Sequence, residues 1–248
     1  MASASTASGS IPFSRLVRVE WSKATDTRAA RWLLAFVALS TAGMMLVPVV
    51  VPTSFDQTHA SYLRVAALAL SILLPVVAIL TFTGEWSQRS VMTTFTQEPR
   101  RIRVVNAKLM VSLVMGVGGA IFGMVATAAG LGLASASGRA LEANLSAGAI
   151  ASYLLYLILN VLAAVALGAL LHNSAAAIAA SFALPASFAL LGNASTVVSE
   201  WIDMSTTWSW VLENDWGDHV SHVSVSILFW VVLPLAAGIV RTVRRDIG

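Results

Sequence analysis

Six long apolar runs, separated by polar stretches, set the plan of this chain. A helix needs about 20 apolar residues to cross the hydrocarbon core of a bilayer. The pattern predicts spans at about 32–53, 65–83, 109–134, 147–171, 175–198 and 223–240. The fourth and fifth are separated only by His172, Asn173 and Ser174, which predicts a tight helical hairpin. Ahead of the first span, Phe13, Leu16, Val17, Trp21 and Ala24 recur at helical spacing, with Arg15, Arg18, Ser22 and Lys23 between them. This reads as an amphipathic helix lying on the membrane surface, the alternative being a frayed juxtamembrane tail. Between the second and third spans, Val91, Met92 and Phe95 lie on one face of a short helix, over about 85–98, which Pro99 stops. The expected fold is therefore all-α and integral to the membrane: a tail over 1–10 that is Ser/Ala/Gly-rich and expected to be disordered, then a single transmembrane domain over 11–248.

Composition agrees with this class. Of 248 residues, 57% are hydrophobic and 11% charged, against roughly 25% charged in soluble domains. No cysteine is present, so neither a disulfide framework nor a thiolate metal site is available. The N-terminal stretch lacks an apolar core after a basic start and is not expected to be a signal peptide.

Basic residues set the orientation. Arg15, Arg18, Lys23, Arg28 and Arg31 precede the first span; Arg89, Arg100, Arg101, Arg103 and Lys108 lie between the second and third; Arg241, Arg244 and Arg245 follow the sixth. Only Arg64 and Arg139 fall on the other face. The positive-inside rule places both termini and the 85–98 helix in the cytoplasm. This asymmetry also accounts for the basic balance without nucleic-acid binding.

The spans contain no Asp, Glu, Lys, Arg or His as drawn. Ion-coupled transporters keep ionisable residues at membrane depth, so a secondary transporter is disfavoured. No catalytic constellation or GxxxxGK[ST] phosphate loop is present, so neither an enzyme nor a resident nucleotide motor is expected. His219 and His222 form a lone HxxH in the outer segment; without a third ligand they read as solvated interfacial histidines, with no metal expected.

That outer segment, about 199–222, carries Trp201, Trp208, Trp210 and Trp216 and five acidic residues. An aromatic belt fits this composition. In span five, Ala179 and Ser181 are small and Pro185 predicts a kink. Gly119 and Gly123 form a GxxxG pair in span three. All five are packing or subunit-interface candidates. Asn160, polar within span four, is expected to hydrogen-bond another helix.

The run Glu85, Arg89-Ser90-Val91, Thr94-Phe95-Thr96, Pro99-Arg100 and Lys108 resembles the first cytoplasmic loop of bacterial ABC type-2 exporter permeases. The likeness extends to the plan of nearly the whole chain. The family usually shows Gly before the Ser or Thr of the turn, where this chain has Arg89. The resemblance implies a permease subunit in the bacterial cytoplasmic membrane, working with a second copy or a sister permease. Two copies of a separate ATPase subunit would bind ATP and Mg, this chain holding no cofactor. Each ATPase would dock on a coupling helix built from Glu85, Arg89, Ser90, Val91, Met92, Thr94, Phe95, Pro99 and Arg100. The cargo would be an amphipathic or hydrophobic drug, peptide or lipid-like molecule. The outer segment would dip into the membrane as paired short helices, with its tryptophans as a gate or substrate contact. A non-transporting membrane scaffold or sensor is the alternative from another class.

Overall fold

The computed structural model describes residues 11–87 and 100–244. The expected tail over 1–10 and the coupling-helix positions 88–99 lie outside these. The described chain is helical almost throughout. α1 is Phe13–Thr25, α2 Arg28–Val50, α3 His59–Ser87, α4 Arg101–Ala136, α5 Ala147–Leu171 and α6 Ser174–Gly192. Two short helices follow, α7 (Thr196–Trp201) and α8 (Met204–Leu212). The last long helix is α9 (Val220–Ile227), a π-helical turn (Leu228–Val232) and α10 (Leu233–Arg244). Among the described residues, six helices are long and apolar enough to cross a membrane, as the hydrophobic pattern predicts.

Local chemistry sets where helices begin. Thr27, Ser146, Asn173 and Ser195 each accept a hydrogen bond from a backbone N–H three residues on, relieving one orphan donor of the first turn. His172 closes α5 in the left-handed conformation, with φ 52°. Only His172 and Asn173 join α5 to α6, so the hairpin is as tight as the sequence suggests.

Packing makes α3 and α5 the centre. In each, 61% of the apolar stretch is buried within the chain, against 6% for α6. Leu70, Leu74, Ile79 and Phe82 of α3 meet Leu157, Val161 and Val165 of α5 in one core. A second core gathers at the opposite end, around Trp208, Val211, Trp230 and Val231. We call this the tryptophan end, and the other the α1 end. At the tryptophan end the α2–α3 and α4–α5 connections are stitched by backbone bonds, His59 N–H to Glu142 O at 3.1 Å and Glu142 N–H to Gln57 O at 3.0 Å.

Close helix contact rests on small residues. A Cβ on Gly119 would lie 2.7 Å from Leu74 Cδ2, and one on Gly123 would lie 2.2 Å from Tyr153 Oη. Both glycines therefore seat α4 against α3 and α5 within one chain. A Cβ on Gly238 would meet the backbone of Ala169 at 2.6 Å. A side chain such as Leu74 can rotate away, whereas backbone cannot. Gly238→Ala is expected to cost about 1–3 kcal/mol, more than Gly119→Ala. Gly43→Ala, with nothing within 4 Å, should be neutral or slightly stabilising. Thermal unfolding of the three variants in detergent checks this order.

Candidate functional site

Four charged side chains meet at the α1 end. On α1, Val17, Glu20 and Ala24 recur at helical spacing and face inward, with Glu20 4% exposed. Lys23 lies one turn on from Glu20, and its Nζ reaches Glu20 Oε1 at 2.7 Å. α3 continues past its apolar run and brings Glu85 to Lys23, Oε1 to Nζ at 2.5 Å. α4 begins well before its apolar run and delivers Lys108, 1% exposed, to Glu20 Oε2 at 2.7 Å and Glu85 Oε2 at 3.1 Å. Each carboxylate thus touches both ammonium groups, and the signs alternate around a closed, neutral ring.

Burying charge is costly, and mutual pairing is what offsets it. Burial alone would lower the Lys23 pKa. The hydrogen bonds and charges of Glu20 and Glu85 outweigh that, so its ammonium is held above the ordinary value.

The same end carries a second set of ties. His172 Nε2 and Thr242 Oγ1 are 2.8 Å apart, and the His172 ring stacks on Trp86 at 4.6 Å. Thr83 Oγ1 and Ser174 Oγ, 2.7 Å apart, pin α3 to the start of α6. Arg101 donates to the Thr242 carbonyl (3.2 Å), and Arg241 to that of Leu170 (2.5 Å). Cations here serve helix C-termini, where carbonyls lack partners.

Between α3, α5, α6 and α8 lies a cleft of about 350 Å³. Pro75, Asn160, Ser181, Pro185 and Trp208 are among its walls. Asn160 does not bridge helices as expected. Its amide donates to the Tyr156 carbonyl at 2.8 Å, one turn back on its own helix, because the space beside it is cleft rather than a neighbouring polar group. Ser181 likewise bonds to Ile178 O on its own helix, and Ala179 is exposed.

The four tryptophans of the outer segment have separate roles. Trp208 is 1% exposed, with Nε1–H donating to Ser226 Oγ at 3.2 Å, so it is a core residue that also walls the cleft. Trp216 Nε1–H donates to Ser152 Oγ at 3.2 Å. Trp201 and Trp210 pair with the histidines: Trp201 with His222 at 4.2 Å, Trp210 with His219 at 4.0 Å. Both histidines are half-buried, each with one side against a ring. Asp203 is likewise spent locally, capping α8 through Ser205 and Thr206.

Sequence reasoning placed Glu85 and Lys108 in one loop motif but did not pair them with each other or with Glu20 and Lys23. One signal was present: Glu20 falls three residues after Val17 and four before Ala24, inside the apolar stripe. Trp230 was also missed; its Nε1–H donates to Ile202 O at 2.7 Å and locks the last long helix to the end of α7.

The fold defines a multi-pass helical membrane protein. Comparison with family models, curated proteins and solved structures finds no match.

Neutralising one member of the ring leaves a buried charge uncompensated, at about 3–5 kcal/mol. Lys108→Met and Glu20→Gln should each lower the melting temperature in detergent by roughly 6–20 °C. The double variant restores neutrality and should lose less than the sum. A raised Lys23 pKa has a defined sign in pH. Its contribution is complete below the unfolded value of 10.5 and fades as pH rises through the folded value. Melting temperature should therefore fall on the alkaline side of 10.5, and less steeply in Lys23→Met.

Proposed function

We propose that this chain is the transmembrane permease subunit of an ATP-driven ABC exporter, moving an amphipathic or hydrophobic substrate out of a bacterial cell. The α1 end faces the cytoplasm in this reading, in keeping with the distribution of arginines and lysines. A separate ATPase subunit docks on segment 85–100, and a second permease completes the pathway.

The observation that carries the reading is the four-charge ring. Segment 88–99 joins the end of α3 to the start of α4. Glu85 and Lys108 stand on either side of it and are paired to each other and to α1. A pull on the segment acts on two membrane helices at once and reaches α1 through Glu20 and Lys23. An external motor needs such a rigid attachment, because force applied to a loose loop would be absorbed there.

The test is reconstitution with an ABC-type ATPase subunit from the same genome. Val91→Asp with Phe95→Asp should abolish stoichiometric co-purification; retention of the ATPase by that variant overturns the docking assignment. Glu20→Gln with Lys108→Met should keep the ATPase bound but lose substrate-stimulated hydrolysis. Unchanged stimulation in that pair would show that force does not pass through the ring.

A further inference from the structure

A second cavity, about 280 Å³, sits at the tryptophan end between the first turns of α3 and α5 and the end of α8. Its walls come from α3, α5 and α8, which also line the 350 Å³ cleft. On α3 its wall is Ala60 and Arg64, and the same face continues with Leu68, Ser71 and Pro75 into the cleft. On α5, Ala149 and Tyr153 lead into Tyr156 and Asn160 in the same way. Leu212, at the end of α8, belongs to both walls. Residues spaced by three and four share one helix face, so the two cavities are stations along a single groove.

The groove changes character along its length. Its mouth holds Arg64, Glu213, Asn144 and Ser146. Among the described residues two arginines lie at this end, and they are used differently. Arg139 donates to the carbonyls of Pro48 and Val49 and closes the end of α2. Arg64 is half-buried and has no hydrogen-bond or ion-pair partner among the described residues. The Glu213 side chain, exposed on the same mouth, also has none. Asn144 spends its side-chain oxygen on the Ala60 N–H at 3.0 Å, leaving its amide donors available. Below the mouth the lining turns to Leu68, Ile72, Ala163, Phe182 and Trp208. An unpaired cation and an unpaired anion over an apolar trench match a zwitterion with a hydrocarbon tail.

Length agrees. Arg64 and Pro75 are eleven residues apart, about 16 Å at 1.5 Å per residue. One leaflet is half of a hydrocarbon core of about 30 Å. A headgroup at Arg64 therefore ends its chain at Pro75 and Asn160, near the bilayer midplane.

We infer that this groove binds one phospholipid with a zwitterionic phosphoethanolamine headgroup from the leaflet at the tryptophan end. The phosphate is held by Arg64 and the Asn144 amide, and the ammonium by Glu213. One acyl chain passes Leu212 into the cleft. The inference concerns binding by this chain alone and does not depend on coupling to an ATPase.

Native mass spectrometry of the purified full chain tests it, with phosphatidylethanolamine and phosphatidylglycerol titrated separately. The expected result is one phosphatidylethanolamine bound per chain in preference to phosphatidylglycerol. Arg64→Ala should weaken it at least about ten-fold, as loss of a charged hydrogen bond does. Glu213→Gln should remove the preference between the two lipids. Leu68→Trp, at a half-exposed position where the fold has room, should block the chain while the melting temperature is kept. Arg139→Ala should lower the melting temperature and leave lipid affinity unchanged. Equal retention of both lipids by the unaltered protein, or undiminished binding in both Arg64→Ala and Leu68→Trp, would mean annular lipid only and overturn the inference.

Discussion

The rest of the α1 end depends on one constraint: a buried carboxylate on α1 has to be answered by cations from elsewhere. Glu20 sits where an apolar residue would suit the stripe between Val17 and Ala24. Its burial is tolerable only with Lys23 and Lys108 in contact, and Lys108 in turn requires Glu85. Apolar contact alone would let an amphipathic helix roll or slide on its support, since dispersion and the hydrophobic effect are not directional. Alternating charges at 2.5–3.1 Å permit neither. The ring therefore fixes the rotation of α1 and the relative heights of α3 and α4 together.

Much of the architecture was legible in the chain because hydrophobic length is a one-dimensional property. Six apolar runs became six long helices, and the His172–Asn173 break became a hairpin. The ends of helices were less legible. Glu85 and Lys108 stand beyond the apolar runs but within helices, since backbone hydrogen bonding does not stop where the side chains turn polar. Spans that look free of charge by composition are thus carried by helices that are not. The ring itself joins three elements far apart in sequence, and no local pattern reports that. Aromatic composition was a still weaker guide: Trp208 and Trp216 lie eight residues apart in one segment, yet one is a core residue and the other lies at the surface.

Polar residues in the apolar helices mostly look after their own backbone. Thr41 and Asn160 each donate to the carbonyl four residues earlier and, among the described residues, bond no other helix through their side chains. Such bonds satisfy a polar group without calling on a neighbour. They leave helices free to stand apart, which is what the cleft between α3 and α6 requires. α6 is held at one end by Thr83 and Ser174 and carries Pro185 where it faces the open space. A proline there removes a backbone donor and weakens the helix's resistance to bending.

The π-helical turn at Leu228–Val232 has a consequence for phase. Such a turn absorbs one extra residue, and in an α-helix each residue advances about 100°. Ser226, which receives Trp208 and Thr207, and Gly238, which touches Ala169, are twelve residues apart. In an unbroken α-helix they would point about 120° from each other. With one residue absorbed the offset falls to about 20°. The insertion therefore acts as a rotary coupling, bringing two inward faces of one helix into a common azimuth that uniform winding would have set apart.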